Sequence, residues 1–332
     1  MTMVAAAYYE KLPDKTVRCL LCPRYCLIPV GGRGNCLARQ NLNGDMIALT
    51  YGRVSSVAMD PIEKKPLYHF FPGRLILSIG SWGCNLHCGF CQNHEISQGE
   101  VMTRQLSPTE AVHLAKEQGS IGIAYTYNEP LIAWEYLRDC SAAIRKAGLK
   151  NVLVTNGYLN SEPFGDLLPN IDALNIDIKA FRESFYQKIC GGSLKPVLRS
   201  AELASRHCHV ETTTLIIPGQ NDDAAELEDL AAWIAAHCGK RTPAHLSAYF
   251  PRYRFRQPPT TASDLQRARE IFRRHLQYVY IGNILCDDSA DTLCQACSAR
   301  IIRRRGYAID TSGMKSDGRC AVCGMDNGII SG

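Results

Sequence analysis

No stretch of the 332-residue chain is long and apolar enough to cross a bilayer, which takes about 20 consecutive apolar residues. The first ten residues, Met1 to Glu10, have neither the basic start nor the apolar middle of an export signal. A cytoplasmic protein with no membrane role is therefore expected. Charge of one sign is also scarce. Thirty-seven Lys and Arg against 32 Asp and Glu leave a formal net charge of +5. That keeps nucleic acid open as a partner without favouring it.

What the chain does have is cysteine, sixteen in all, most of them in short paired spacings. In a large chain without an export signal this pattern points to metals rather than disulfides. The central group is Cys84, Cys88 and Cys91, three thiols within eight residues with Gly89 between the last two. Such a loop can wrap one inorganic cluster. Electron-transfer cubes are held by four thiolates, so three leave one iron open, much as a catalytic zinc is left one protein ligand short. A zinc knuckle, or a cluster with its fourth ligand elsewhere, is the alternative reading.

Two more groups flank it. Cys19, Cys22, Cys26 and Cys36, at spacings of two, three and nine residues, surround the glycine-rich turn at Gly31, Gly32 and Gly34. Zinc and an auxiliary iron–sulfur cluster both suit them, since both take thiolate. Near the other end, Cys294, Cys297, Cys320 and Cys323 have zinc-ribbon or rubredoxin spacing, with zinc favoured over iron.

Between these groups, short apolar runs alternate with amphipathic ones. Strands are expected at 75–79, 121–126, 152–155, 173–178, 210–217, 245–249 and 278–281. Helices are expected over 108–118, capped by Ser107, and over about 131–146. This alternation predicts an α/β fold with a parallel sheet curled into a partial (β/α) barrel, its site at the carboxyl ends of the strands. The expected organisation is a cysteine-rich segment and linker over 1–73, a core over 74–285 and a small metal-binding module over 286–332. The linker stretch at 59–73 reads as ordered but irregular: a solvated linker by composition or, by its place just before the first strand, a segment whose Lys64, Lys65, Tyr68 and His69 cover a site or meet a substrate. Two runs, Arg252-Tyr253-Arg254-Phe255-Arg256 and Arg303-Arg304-Arg305, read as solvated faces or protein contacts, with phosphate binding as the minor possibility.

Cys84-x3-Cys88-x-Phe90-Cys91 resembles the signature of radical S-adenosylmethionine (SAM) enzymes. The resemblance implies a 4Fe–4S cluster on Cys84, Cys88 and Cys91, with SAM on the open iron and a low-potential donor of flavodoxin or ferredoxin type. It also implies cofactor contacts from Phe90, Gln92 and Asn93 beside the cysteines. Thr126-Tyr127-Asn128-Glu129-Pro130 matches the family's Gly-Gly-Glu-Pro position, with Tyr127 and Asn128 in place of both glycines and Glu129 meeting the cofactor's amino group. Thr155 and Asn156, with Gly157, end a strand in a polar turn that can approach a ligand; Asp177 and Lys179, Thr213 and His245 fall at strand positions similar to cofactor contacts in related radical SAM enzymes, including activating enzymes of the pyruvate formate-lyase type. Asp177 and Lys179 also read as partners of each other. Over nearly its full length, through the 60–70 run, Cys91-Gln92-Asn93, 125–130, 278–283 and the cysteine tail, the chain resembles the AmmeMemoRadiSam system radical enzymes. That resemblance implies Memo-type and AMMECR-type partner proteins.

Overall fold

The computed structural model describes residues 3–284 and 289–331. Its centre is an eight-stranded sheet whose strands lie side by side in chain order. Ser56–Pro61 forms one edge and runs antiparallel to Leu75–Gly80. Gly122–Tyr125, Lys150–Thr155, Ala173–Asp177, His209–Ile216, Ala244–Ala248 and Val279–Ile281 follow, each parallel to its neighbour. Among the described residues the two edge strands do not pair, so the sheet is open, as a partial barrel requires.

The local reasons are visible in the sequence. The strands are apolar and largely buried, including Ile76, Leu77, Ile123, Val152, Leu153, Leu174 and Ile176, as strands covered on both faces must be. Helix Pro108–Glu117 starts at a full capping box, in which Ser107 accepts from the Glu110 N–H and Glu110 accepts in return. The helix expected from about 131 begins as a 3-10 turn, Pro130–Ala133, and becomes α-helical over Trp134–Lys146.

The 59–73 stretch differs from its reading. Its first three residues belong to the edge strand Ser56–Pro61, where a proline at the strand's end costs no ladder bond. The 3-10 turn Ile62–Lys64 comes next. Tyr68 and His69 do not reach the site. Their backbone N–H groups donate to the Glu211 carboxylate at 2.9 and 2.7 Å, tying the linker to the sheet.

The amino-terminal segment folds as a three-stranded antiparallel sheet, Tyr9–Lys11, Val17–Cys19 and Leu27–Ile28, followed by the hairpin Arg39–Leu42 and Asp45–Ala48. It docks on helix Trp134–Lys146 through a fully buried Arg39–Glu135 ion pair and the Tyr8–Trp134 ring contact. The carboxyl-terminal module is a second small sheet, Thr292–Leu293, Arg300–Arg305 and Ala308–Asp310. The boundary expected at 285/286 lies outside the described residues.

Arg304 alone departs from the reading of the two arginine runs as solvated faces; the other arginines of both runs are exposed. Arg304 is only 2% exposed. Its guanidinium donates to Tyr68 O at 2.7 Å, Ala290 O at 3.0 Å and Thr292 Oγ1 at 2.8 Å, and lies over the Tyr68 ring. It therefore fastens the terminal module to the linker. Arg304→Ala removes a buried guanidinium from three acceptors and the Tyr68 ring, and is expected to cost about 3 kcal/mol, measured by urea unfolding. In the other run the arginines face out while Tyr253 stacks on His94 and Phe255 packs edge-on against Phe90 at 5.8 Å. That run is a cover over the cysteine loop.

Candidate active site

Cys84, Cys88 and Cys91 follow directly from strand Leu75–Gly80, at its carboxyl end. Gly83, at φ +86°, makes the turn, in the left-handed region that glycine enters without penalty. Asn128 fixes the start of the loop, accepting from Ser81 N at 2.8 Å and donating to Trp82 O at 3.0 Å and Gly83 O at 3.2 Å. Two thiols have polar neighbours: Asn156 Nδ2 donates to Cys84 Sγ at 3.5 Å, and Ser97 Oγ lies 3.2 Å from Cys91 Sγ.

The three cysteines open onto a cavity of ≈ 620 Å³ at the strand ends. Phe90, Gln92 and Asn93 line it beside the cysteines, and Glu129, Thr155 and Asn156 line the next strand ends. Asp177, Lys179 and Thr213 complete the far wall, and Lys64 and Lys65 reach its rim. Nine of the ten residues expected around the cofactor thus share one cavity with the thiols. His245 does not. It is buried at 1% exposure, with Nε2 2.6 Å from Glu211 Oε2 and its ring edge-on to Tyr68. It shares a sheet face with Thr213 and Ser247, which line the cavity, but lies further back along its strand, where it meets Glu211 and the linker.

Glu129 is nearly buried. Its carboxylate accepts from Thr155 Oγ1 at 2.7 Å, Leu131 N at 3.0 Å and Asn156 N at 2.8 Å. Burial pushes its pKa up to about 7, against the pull of those hydrogen bonds. Asp177 and Lys179 form an ion pair at 3.0 Å on the cavity wall.

Of the two glycine replacements, Tyr127 takes a backbone conformation that glycine enters freely. Tyr127 sits at φ +73°, a conformation costing a non-glycine residue about 1–2 kcal/mol. Three contacts hold it there. Its hydroxyl donates to Asp60 Oδ2 at 2.5 Å, its ring faces the Lys65 ammonium at 4.7 Å, and its carbonyl accepts from Asn93 Nδ2 at 2.8 Å. Asp60 also pairs with Lys64 and Lys65, which keeps it ionised well below the usual carboxylate range despite burial.

Two residues near the site carried no local signal in the sequence. Glu211, fully buried, gathers the Tyr68 and His69 amides, His209 and His245, and these bonds hold it ionised although burial opposes it. Cys190 faces Cys88. It ends the π-helical turn Tyr186–Cys190, whose Cys190 and Ile189 carbonyls accept from His87 N at 2.8 Å and Gly89 N at 3.1 Å. Such bulges recur at functional sites, and this one clasps the cysteine loop.

At the far end of the chain, Cys294, Cys297, Cys320 and Cys323 place their sulfurs within 4.8 Å of one another, as four ligands of a single metal ion would be.

Comparison with known proteins agrees with this geometry. The profile of the Radical SAM superfamily matches residues 79–234. An uncharacterized protein of Methanocaldococcus jannaschii is 41% identical over 99% of this chain and 100% of its own length. Pyruvate formate-lyase 1-activating enzyme of Escherichia coli is 28% identical over 42% of this chain, a match spanning 61% of that enzyme. Among solved structures, Streptococcus suis SuiB bound to precursor peptide SuiA has the same fold, with TM-score 0.50 and 14% identity over 67% of this chain and 51% of that one. The chain belongs to the radical SAM superfamily and is an enzyme. That superfamily carries a 4Fe–4S cluster and SAM, and the three thiols facing one cavity with Glu129, Asp177 and Lys179 in its wall fit both. No helix among the described residues is long and apolar enough to cross a membrane.

Proposed function

We propose that Cys84, Cys88 and Cys91 hold the cluster and that Glu129, Asp177 and Lys179 orient SAM beside it. When bound, the two together supply a 5′-deoxyadenosyl radical that takes a hydrogen atom from a substrate. The observation that carries this reading is the convergence of nine expected contacts and three thiols on one cavity. Within it, Glu129 offers a carboxylate for the cofactor's amino group. The Asp177–Lys179 pair offers both charges to its zwitterionic methionine end, and the cover formed by Tyr253 and Phe255 shields the loop from solvent. The test is anaerobic reconstitution with iron and sulfide, then SAM and a strong reductant. Release of 5′-deoxyadenosine is expected, and its absence from protein with an intact cluster sinks the proposal.

The finer reading is an AmmeMemoRadiSam system enzyme working with Memo-type and AMMECR-type proteins and an electron donor of flavodoxin or ferredoxin type. Its support is the resemblance carried by the 60–70 run, Cys91-Gln92-Asn93, 125–130, 278–283 and the cysteine tail. Zinc is the ion proposed for the four terminal thiols. A second reading, an activase that installs a glycyl radical on a partner, draws on the match to the pyruvate formate-lyase enzyme. Loss of the α-hydrogen from labelled glycine in a partner protein would separate the two.

Cys190 bears on the open iron, because it is a fourth thiol beside the other three. Its carbonyl is committed to His87 N, which fixes its backbone outside the loop. Cys190→Ala is expected to reconstitute with an unchanged iron content and to cleave SAM within about threefold of wild type, an effect of under 1 kcal/mol. Loss of the cluster in that variant would make Cys190 a ligand and close the corner SAM requires.

A further inference from the structure

We propose that Cys19, Cys22, Cys26 and Cys36 hold a second iron–sulfur cluster, not zinc, and that it passes electrons to the catalytic one. Only the second half of this statement rests on the radical reading above.

The fold brings the four thiols together from separate turns. Cys19 donates its N–H to Cys26 O at 3.0 Å, Cys22 O accepts from Tyr25 N at 3.2 Å, and the tight turn closed by Leu37 N to Gly34 O at 2.9 Å delivers Cys36. Arg39 Nη1 lies 3.8 Å from Cys19 Sγ. The guanidinium is buried against the sulfurs and its Nε has no partner.

The spread of the sulfurs separates iron from zinc, and the chain contains its own standard. The four terminal sulfurs all lie within 4.8 Å of one another, close enough for one tetrahedral ion. Among the described residues no other cysteine group does so, neither the amino-terminal four nor Cys84, Cys88 and Cys91. A four-iron cube takes each thiolate on a different iron and so needs ligands set wider apart than a single ion does. The amino-terminal group shares the wider setting of the catalytic loop.

Placement then gives the second cluster its task. A Cβ on Gly83 would stand 2.2 Å from the Cys36 carbonyl oxygen, so only glycine lets the two backbones touch. Gly83 is bonded directly to Cys84. The path from a ligand of one cluster to a ligand of the other is therefore a single van der Waals step and one peptide unit. Asn35 and His87 add a hydrogen bond across the same seam at 2.5 Å. Zinc, which has no redox chemistry, would gain nothing from this contact. On the outer side, Cys26 borders an open surface cavity of ≈ 640 Å³ shared with Arg24 and Arg33, where an electron can arrive. In the step proposed, a low-potential one-electron donor protein reduces the amino-terminal cluster by one electron. That cluster is reoxidised as the same electron reduces the catalytic cluster, and no proton moves.

The test uses the full chain, reconstituted without oxygen. The combined variant Cys84→Ala, Cys88→Ala, Cys91→Ala is expected to keep roughly four irons and four sulfides, one cube's worth, with a cluster paramagnetic signal after reduction. A variant with no iron and a second equivalent of zinc overturns the assignment. Retained iron upholds the cluster even if wild type releases no 5′-deoxyadenosine, a result that defeats only the radical reading. For the relay, Cys22→Ala, Cys36→Ala is compared with wild type using reduced flavodoxin and a small chemical reductant. The ratio of flavodoxin-driven to chemically driven 5′-deoxyadenosine release is expected to fall at least about tenfold. An unchanged ratio overturns the relay.

Discussion

Cys88→Ala is expected to abolish 5′-deoxyadenosine release, a fall of at least about a thousandfold, or roughly 4 kcal/mol in the barrier. The reason is the position of Cys88 as the middle ligand. It is buried at 7% exposure in the deepest part of the loop, with Cys190 behind it and the cavity in front. No other side chain on the loop could replace it. Gly89 N is already committed to Ile189 O, and the His87 ring lies between Gln98 and Asn35 at 2.5 Å on either side. The fold should survive, because the clasp around the loop is made by backbone groups. The variant should therefore purify as a folded protein without the catalytic cluster's absorption. A variant that keeps both the cluster and the release would show that the thiol is not a ligand, and the proposed chemistry would lose its source.

How much of this was legible in the sequence depended on distance along the chain. The strands and the helix at Pro108–Glu117 were readable because burial on both faces and a capping box leave their mark within a few residues. The cysteine loop was readable for the same reason, since its three thiols are local. Glu129, Asp177 and Lys179 were readable because strand ends of a parallel sheet converge wherever the strands are found. His245 failed that rule. Its partner Glu211 lies 34 residues away, with nothing local to announce it. Arg304 was misread because its role is set by Tyr68, 236 residues distant. Tyr127 stands where the family has glycine, and its left-handed backbone is held by Asp60 and Lys65, more than 60 residues back along the chain, a distance no local pattern spans.

Glu129→Gln is expected to weaken SAM binding about 10- to 100-fold at pH 8, the worth of a charge-assisted hydrogen bond at roughly 1.5–3 kcal/mol. The size of the loss should depend on pH. With its pKa at about 7, Glu129 is mostly ionised at pH 8 and mostly protonated at pH 6. Binding that needs the carboxylate must draw off a proton at the lower pH, so wild-type affinity should fall about tenfold per unit below 7. The glutamine variant should be nearly flat, and the two should converge between about pH 6, for a tenfold gap, and about pH 5, for a hundredfold one. Stability runs the other way. The folded pKa is raised from 4.5, so between that value and about 7 the folded chain holds a proton the unfolded chain has lost. This group's share of the stability of the ligand-free protein therefore declines as pH rises through that window, by about 3 kcal/mol in all, and levels off above it. Affinity that rises with pH while ligand-free stability falls is the signature of a buried carboxylate kept for a cationic ligand. Anaerobic equilibrium dialysis with labelled SAM, beside urea unfolding across the same pH range, measures both. Wild-type affinity that stays flat from pH 6 to 8 would remove Glu129 from the cofactor's amino group.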